Sequence, residues 1–399
     1  MPFESSTAAE QAAWLGRNAV DCLPRGGLER KLASGRPLRV KLGIDPTAPD
    51  IHLGFTVVLQ KLREFQDLGH KVVLIVGDYT ARVGDPSGRS STRPVLDPAQ
   101  IDANAATFRD QALKVLDADP ERLEVRFNGE WLDMTIADLF ALLRTATVAQ
   151  ILERDDFAKR LTANEPISLL ELLYPLLQGY DSVAVRADVE LGATDQKFNL
   201  LLARDVQRAY GRPEQVIMTL PLLLGTDGAR KMSKSLDNYI GVTDTPAQMY
   251  GRTLSIPDSS LDNWYSMLLG TAPPDGLGPR DAKRALARAI VQRFHDRAAA
   301  GAAEEHFDRI HVRRQAPDQM PVVSVAADGA AVHLPTLLAR AFGVSTSDAR
   351  RSLAQGAVRI DGESVSVLDL PGVELDGRVL QLGKRRFARL RLLDDQDPA

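Results

Sequence analysis

The sequence contains a single cysteine, Cys22, and no hydrophobic run that approaches the roughly 18 residues of a membrane span. One cysteine excludes both an intramolecular disulfide and a cysteine-based zinc site, and such sparing use is typical of proteins in a reducing cytosol. Residues 1–30 also lack the apolar core of a signal peptide. We therefore expect a cytoplasmic protein without zinc.

A strong charge imbalance is absent as well, because the formal net charge is only −4. The hydrophobic fraction of 44% and the charged fraction of 26% are ordinary for a globular protein, and 399 residues suffice for two or three domains. Only residues 333–393 are locally basic, with ten Lys and Arg against six Asp and Glu. This excess is either a solvated face or a surface that binds nucleic acid.

The first half of the sequence alternates short apolar runs with amphipathic segments. Apolar residues from Phe55 to Leu68 recur at spacings of three and four, which predicts a helix that ends at Gly69. The alternation predicts an α/β fold with a Rossmann-like, doubly wound parallel sheet. We expect strands at 38–44, 71–77, 123–127, 185–191 and 216–224, and a further helix at 195–210.

The domain organisation follows from where this alternation stops. We predict a catalytic domain over residues 1–240, with a helical segment at about 100–165 inserted between the two halves of the sheet. Residues 241–315 are predicted to be a helical domain, and residues 316–332, rich in Pro, Ala and Gly, to be a linker. Residues 333–396 predict a small α+β domain with two helices and a hairpin at Asp361-Gly362.

A GxGxxG motif is also missing after the first predicted strand, which weakens a dinucleotide-binding interpretation. Residues 45–54 (DPTAPDIHLG) stand there instead and lead into the next helix. A helix N-terminus favours phosphate, Gly54 leaves room for a nucleotide, and His52 can donate to a phosphate oxygen. Taken alone, a His-x-Gly sequence is more often a loop whose histidine caps a helix than a nucleotide-binding site.

A second loop, residues 231–235 (KMSKS), follows the last predicted strand. Its lysines, Lys231 and Lys234, can form a mobile cationic clamp for pyrophosphate, although a solvated basic loop would have the same composition. The two loops together resemble the HIGH-type and KMSKS signatures of class I aminoacyl-tRNA synthetases. From residue 38 to the end, the chain is most similar to the bacterial tyrosyl-tRNA synthetases that keep KMSKS in full.

A polar stripe marks the segment 168–181 (SLLELLYPLLQGYD), where Glu171, Tyr174, Gln178 and Asp181 recur at helical spacing among leucines. Such a stripe either faces solvent or lines a polar site, because buried polar groups need partners. The resemblance implies the second case. It implies that Asp181 accepts the phenol O–H of tyrosine, and that Tyr174 and Gln178 hold the ammonium group together with Asp85.

The resemblance also implies the remaining site residues. The catalytic set would be Thr47, His52, Lys231, Lys234, Arg89 and Arg93. ATP would be bound by His52, Gly54, Asp195, Lys234 and Ser235, and Gln196 would lie at the activated carboxyl group of tyrosine. Without the resemblance, the pair Thr194-Asp195 is simply a good helix N-cap. Magnesium is expected to accompany ATP, and neither an organic cofactor nor a resident metal site is expected.

Three positions depart from the family pattern. Phe55 occupies the fourth place of the HIGH-type motif, where a polar side chain usually reaches the ribose. Ala193 replaces a glycine and adds a methyl group to the nucleotide site. Lys41 stands where the other bacterial branch has a tyrosine beside the substrate phenol. The ribose contacts are the part of the site that these changes affect most.

The C-terminal segment resembles an S4 RNA-binding domain. Its arginines and lysine are expected to meet the phosphates of tRNA: Arg350, Arg351, Arg359, Lys384, Arg385 and Arg386. The family resemblance further implies a homodimer whose interface is the inserted helical region.

The function expected from these features is tyrosine–tRNA ligation, with ATP, L-tyrosine and tRNA(Tyr) as substrates. One alternative is a tryptophanyl-type class I synthetase. The other is a synthetase-derived RNA-binding protein without catalytic activity, which Phe55 favours and the intact lysine loop opposes.

Overall fold

The structure, a computed structural model, describes residues 6–47, 49–86, 97–313, 320–326, 331–383 and 386–393. The chain divides into two compact units, Met1–Phe294 and His295–Ala399. This division falls inside the segment predicted as a helical domain over 241–315, and the predicted domain boundaries stay predictions.

The first unit is built on one six-stranded sheet with the spatial order β1-β6-β5-β2-β3-β4. Five of its strands are parallel, which confirms the predicted Rossmann-like α/β fold. The sheet is nevertheless mixed, because β1 pairs antiparallel with β6. The strands are β1 Asp21–Leu23, β2 Arg39–Ile44, β3 Lys71–Val76, β4 Leu123–Phe127, β5 Val189–Ala193 and β6 Val216–Leu220.

Helices cover the sheet and form the segment around β4. In chain order they are α1 Ala8–Gly16, α2 Gly27–Leu32, α3 Leu53–Asp67, α4 Thr80–Val83, α5 Pro98–Ala112, α6 Gly129–Leu132, α7 Ile136–Leu143, α8 Val148–Leu152, α9 Asp155–Thr162, α10 Leu169–Ala184, α11 Lys197–Ala209, α12 Pro246–Leu254, α13 Leu261–Trp264 and α14 Pro279–Phe294. Short 3₁₀ turns lie at Thr194–Gln196, Lys234–Leu236 and Asp258–Ser260, and a π-helix lies at Tyr265–Leu269.

Helix α3 forms where the spacing of apolar residues from Phe55 to Leu68 predicts a helix. Its predicted apolar stripe is buried, with Leu59, Leu62 and Phe65 at zero exposure. Each such side chain contributes about 1.5–3 kcal/mol when it leaves water, so the stripe fixes which face of the helix packs inward.

Two predicted strands are shorter than expected. Strand β5 begins at Val189, not at residue 185, because Val185 caps α10 and Arg186 turns the chain with a φ of 53°. Strand β6 ends at Leu220, before Pro221, which has no N–H to donate to a ladder. The inserted region is also not wholly helical, since β4 within it is the edge strand of the main sheet.

The second unit contains a five-stranded sheet with the order β10-β9-β12-β13-β7 and a two-stranded sheet, β11-β8. Its elements are α15 Arg297–Phe307, a π-helix at Asp308–Val312, β7 Val322–Ala326, β8 Ala331–His333, α16 Leu334–Phe342, α17 Thr346–Ala354, β9 Val358–Ile360, β10 Glu363–Ser364, β11 Asp369–Pro371, a 3₁₀ turn at Gly372–Glu374, β12 Val379–Leu382 and β13 Arg386–Leu393.

The hairpin prediction in this unit is confirmed and the linker prediction is wrong in part. Asp361 and Gly362 both have positive φ, 49° and 89°, as a two-residue hairpin turn requires. The segment predicted as a linker contains β7, which pairs in parallel with β13 from Val322 to Ala326. That strand was missed because its partner lies more than sixty residues further along the chain. No helix in the described parts of the chain is long and apolar enough to span a membrane.

Candidate active site

The predicted site residues of the first unit gather at the carboxyl ends of the parallel strands. The chain leaves β2 for β3 on one side, whereas β5 pairs with β2 on the other side. A crevice at such a switch point is where open α/β sheets bind ligands. Asp45 follows β2, Asn128 follows β4, and Thr194–Gln196 follows β5.

Asp45 is the residue around which this crevice is organised, and sequence reasoning missed it as a site residue. Its Oδ1 accepts from Thr80 Oγ1 at 2.7 Å, and its Oδ2 accepts from the Tyr174 hydroxyl at 2.9 Å. Burial, and then the nearby Asp45, raise the pKa of Tyr174 well above its ordinary value, so this hydroxyl stays a donor. Gly77 leaves the room that this requires, since a Cβ there would lie 2.1 Å from Asp45 Oδ1.

Asp181 lies on the same inner face of α10 as Tyr174 and is 3% exposed. Its Oδ1 accepts from Trp131 Nε1 at 2.8 Å, and its Oδ2 accepts from Asn128 Nδ2 at 3.4 Å. Burial raises the pKa of Asp181 to about 6, against the opposing influence of the Lys41 ammonium. Asn128 and Trp131 were also missed, because nothing in the local sequence links them to a carboxylate fifty residues away.

The amide side chains form a second chain of contacts across the crevice. Asn199 Nδ2 donates to Gln178 Oε1 at 2.8 Å and to Gln196 Oε1 at 3.3 Å. Gln196 Nε2 donates in turn to Asp85 Oδ2 at 2.8 Å. The structure therefore brings Gln178, Gln196 and Asp85 together, as the sequence predicted, and adds Asn199 between them.

Glu171, the remaining polar residue of the α10 stripe, makes its hydrogen bonds at the N-terminus of the helix and not in the crevice. It completes the capping box with Ser168 and accepts from both terminal nitrogens of Arg160 at 2.9 and 3.0 Å. Glu171, Tyr174 and Asp181 are all buried, so the interpretation of the stripe as a solvent-facing surface is wrong.

His52 lies at the N-terminus of α3, where its Nδ1 accepts from the backbone N–H of Gly54 at 3.1 Å. Burial, and then the positive charges of Lys234 and Lys231, lower the pKa of His52 to about 4. The ring is therefore neutral at physiological pH, with its proton on Nε2 available for donation. Gly54 is required here, since a Cβ would lie 2.9 Å from the His52 ring.

The loop that carries the two lysines closes over this helix start. Leu53 N–H donates to Ile240 O at 2.9 Å, which holds the end of the loop beside His52. Lys231 Nζ donates to Asp195 Oδ2 at 2.8 Å, and Lys234 pairs with Asp50. Both ammonium groups thus point into the crevice, where an anionic ligand could replace their carboxylate partners.

Asn238 braces the same loop. Its Oδ1 accepts from the Ser233 N–H at 2.8 Å, and its Nδ2 donates to Lys231 O at 3.1 Å. Ser235 is placed in the loop by a hydroxyl contact with Ser233 at 3.0 Å. Thr47 belongs to a tight turn in which its N–H donates to Asp45 O at 2.8 Å.

The departures from the family pattern have physical consequences. The Phe55 ring lies 4.6 Å from the His52 ring, centre to centre, so it packs on the histidine and has no polar atom to offer a ribose. Lys41 is fully buried and bonds to Glu190, Ser182 and the Gln178 carbonyl. Arg89, Arg93, Lys384 and Arg385 lie outside the described residues. Arg350, Arg351, Arg359 and Arg386 are exposed on the second unit.

The arrangement in the first unit suits two kinds of chemical group. The crevice with Asp45, Asp85 and Asp181 can accept from a hydroxyl and an ammonium group, while the α3 N-terminus and the lysine loop can hold phosphates. Among the described residues, no group of three or more His, Cys, Asp or Glu side chains is arranged to hold a metal ion.

Comparison with known proteins gives consistent matches. A family model described as tRNA synthetases class I (W and Y) matches residues 33–312. A tyrosine–tRNA ligase of Moorella thermoacetica is 51% identical over 96% of both chains, and one of Thermotoga maritima is 49% identical over 96% of this chain and 98% of its own.

Solved structures share the fold at lower sequence identity. A mitochondrial tyrosyl-tRNA synthetase of Aspergillus nidulans superposes with a TM-score of 0.62 at 20% identity, over 77% of this chain and 95% of that one. A tyrosyl-tRNA synthetase of Archaeoglobus fulgidus, solved with L-tyrosine, gives 0.61 at 20% identity, over 74% and 99%.

Proposed function

Since the chain belongs to the family of class I tRNA synthetases for tryptophan and tyrosine, we infer that it is an ATP-using tyrosine–tRNA ligase. The family model alone covers both amino acids, but the relatives that are about half identical over nearly the whole chain are all tyrosine–tRNA ligases. The observation that carries the choice is the buried Asp181 at the end of the crevice, because its carboxylate can accept a phenol O–H.

Recognition of tyrosine is proposed to use both ends of the crevice. Asp181 would accept the phenol O–H while Trp131 and Asn128 hold its carboxylate in place. Phenylalanine has no O–H to donate, so it would bury the Asp181 carboxylate with one donor fewer than tyrosine does, which opposes its binding. Tyr174, Gln178 and Asp85 would hold the ammonium group, and Gln196 would lie beside the reacting carboxyl group.

Activation of tyrosine is proposed to occur where α3 begins. The tyrosine carboxylate attacks the α-phosphorus of ATP, the bond to the bridging oxygen of the β-phosphate breaks, and pyrophosphate leaves. Thr47 and the neutral His52 would donate to the departing phosphates, and Lys231 and Lys234 would exchange their carboxylate partners for phosphate oxygens. Asp195, released from Lys231, and Ser235 and Gly54 would complete the ATP site.

Transfer follows when a hydroxyl of the terminal tRNA ribose attacks the tyrosyl carbonyl and AMP leaves. The protein supplies position and charge stabilisation and forms no covalent bond itself. Magnesium is proposed to arrive with ATP, as part of the substrate. Arg89 and Arg93 are proposed to join the phosphate site, and a cytoplasmic location accords with the lone Cys22.

The test of the function is pyrophosphate exchange into ATP, with tyrosine, tryptophan and phenylalanine supplied separately. We expect exchange with tyrosine only. Exchange with tryptophan instead would support the tryptophanyl alternative, and no exchange with any amino acid would support a non-catalytic RNA-binding protein.

The raised pKa of Asp181 predicts how activity depends on pH. A protonated carboxyl group is a poorer acceptor for the phenol, and the ionised form dominates only above a pKa of about 6. We therefore expect kcat/KM for tyrosine to fall as pH decreases from 7 to 5, because kcat/KM reports groups of the free enzyme. The same profile measured for Asp181→Asn should lack this acid limb, and an unchanged limb would assign it to another group.

The second unit is proposed to be an S4-like tRNA-binding domain. Its exposed arginines are carried by three elements, with Arg350 and Arg351 on α17, Arg359 on β9 and Arg386 at the start of β13. Lys384 and Arg385, which lie outside the described residues, are also proposed to contact tRNA phosphates. Arginines in such a group neutralise phosphates and release counterions.

Combined replacement of Arg350 and Arg359 by alanine should therefore raise KM for tRNA by about tenfold and flatten its salt dependence. Pyrophosphate exchange, which needs no tRNA, should be unchanged. The matched control is Arg313→Ala, an exposed arginine of the same unit that pairs with Glu305. If Arg313→Ala raised KM for tRNA by the same factor, tRNA binding would depend on the overall charge of the unit and not on Arg350 and Arg359.

A homodimer is proposed through the inserted helices. Large apolar side chains on this region and at the adjoining start of α10 are exposed, which is unusual for a solvated surface: Ile136, Phe140, Val148 and Leu161 on the region, and Leu169 and Leu170 on α10. One face of this kind on each chain suits a two-fold symmetric interface.

Replacing Phe140 by lysine should convert the dimer to a monomer at micromolar concentration, because two charges would be buried in the interface. Sedimentation velocity checks this result. The control Val20→Lys changes an exposed apolar residue outside the inserted region and should leave the dimer intact. A wild-type chain that sediments as a monomer would contradict the proposal.

A further inference from the structure

Lys41, on β2, is a fully buried lysine whose three N–H groups all have partners. Its Nζ donates to Glu190 Oε1 at 2.7 Å, to Ser182 Oγ at 2.9 Å and to the Gln178 carbonyl at 2.9 Å. Stability alone gives no reason for such a pair, since apolar residues of the same volume often replace a buried ion pair without loss.

Glu190, its partner on β5, is 1% exposed on its side chain and accepts hydrogen bonds from four residues. Besides Lys41, the donors are Ser182 at 3.1 Å, Gln215 and the Gln178 side-chain amide at 3.3 Å. A carboxylate in an ion pair can only accept. The group of Gln178 that faces Glu190 must therefore be its NH₂ group, and the opposite orientation would set two acceptors against each other.

This constraint decides which way the rest of the amide faces. With Nε2 held by Glu190, the carbonyl oxygen Oε1 lies on the side of Asn199, which donates to it at 2.8 Å. Asn199 also contacts Gln196, and Gln196 contacts Asp85. The oxygen of Gln178 is thus turned towards Asn199, which links it through Gln196 to Asp85, the proposed acceptor for an ammonium group.

We propose that the buried Lys41–Glu190 pair is a positioning device that locks Gln178 with its carbonyl oxygen towards the ammonium group of the substrate. The inference rests on the proposed role of Gln178 in tyrosine binding. Glu190 sets the direction of the amide, and Lys41 balances its charge in the interior while holding the α10 backbone at Gln178. The side chains of Lys41 and Glu190 are 0% and 1% exposed, so we expect both to act through Gln178 and not by contact with the substrate.

The experiment compares three ligands that differ only in their charged groups. Tyrosine carries an ammonium and a carboxylate, tyramine carries the ammonium alone, and 3-(4-hydroxyphenyl)propionate carries the carboxylate alone. Calorimetric Kd values are measured for the wild-type chain, for Glu190→Gln and for the double variant Lys41→Met/Glu190→Gln. The new amide at position 190 can donate or accept, so it no longer fixes the direction of Gln178.

We expect both variants to bind tyrosine and tyramine about tenfold more weakly, as for one hydrogen bond to a charged group. Their Kd for 3-(4-hydroxyphenyl)propionate should stay within about twofold of wild type. The double variant is neutral and keeps the test valid if the single variant, with its unbalanced lysine, fails to fold in a thermal melt.

The control is Lys61→Met/Glu64→Gln, which makes the same change in another ion pair of this unit, 2.5 Å apart on α3, in which the Lys61 side chain is 4% exposed and that of Glu64 is 12% exposed. It should leave all three Kd values unchanged. Equal losses for all three ligands in the position-190 variants would show that the pair only supports the pocket, and an unchanged Kd for tyramine would also overturn the inference. Wild-type protein that binds the propionate as tightly as tyrosine would instead overturn the ammonium site itself.

Discussion

Replacing Lys234 by methionine should slow tyrosyl-adenylate formation by about 10²–10³-fold, the usual loss when one donor to a developing anion is removed. Lys234 is 20% exposed on its side chain, lies over the Tyr239 ring and pairs with Asp50, so its ammonium is already held at the phosphate end of the crevice. Because this charge acts on departing pyrophosphate, KM for tyrosine should change little while kcat falls. Single-turnover kinetics with ATP and tyrosine measures the step directly.

Two controls separate charge stabilisation from loop structure. Asp50→Asn removes the partner of Lys234 but leaves the lysine, and we expect it to change the rate by less than about tenfold. Lys283→Met breaks another lysine–aspartate pair, with Asp258 at 2.6 Å, that contains no residue proposed to bind ATP or tyrosine, and should have no effect. If Asp50→Asn slowed the reaction as much as Lys234→Met, the lysine would act by holding the loop and not by meeting phosphate.

Replacing Asp181 by alanine should lower kcat/KM for tyrosine by about 10²-fold and leave that for phenylalanine unchanged. The variant loses the acceptor for the phenol and leaves the Trp131 indole N–H without its partner, and a buried hydrogen bond to a charged group is worth about 1.5–3 kcal/mol. The ratio of the two values, measured by pyrophosphate exchange, should therefore fall by about 10²-fold.

The matched control for this variant is Glu171→Gln. Glu171 is also a buried carboxylate of α10, but it pairs with Arg160 and caps the helix. Its replacement should affect thermal stability more than amino-acid selectivity. Equal losses for tyrosine and phenylalanine in Asp181→Ala would mean that Asp181 shapes the pocket without reading the phenol.

Several features of the fold and of the candidate site are encoded locally in the sequence. The buried stripe of α3, the stripe on α10 and the positive-φ turn at Asp361-Gly362 were all predicted, because each depends on residues within one helical turn or one hairpin. The two motifs, at residues 52–54 and 231–235, also indicated the family correctly. In the structure, the segment that follows the lysine loop pairs with His52 at the start of α3.

The residues that were missed share a different property. The side-chain hydrogen bonds of the site join residues far apart in sequence: Tyr174 and Asp45 are 129 residues apart, Lys41 and Glu190 are 149 apart, and Trp131 and Asp181 are 50 apart. No local period marks such partners. The same reason explains β1 and β7, which are strands only because β6 and β13 offer them hydrogen bonds.

The sequence by itself thus determined most of the helices and strands, the two loops proposed to bind phosphate and the residue types of the proposed tyrosine pocket. Helical and strand periodicity, turn chemistry and motif spacing act over a few residues, and one chain is enough to read them. Only the tertiary structure decided which carboxylate each polar side chain meets, and which way the Gln178 amide faces. Those choices are made by the order of strands in the sheet, which brings distant residues to one edge and excludes the water that would otherwise satisfy them.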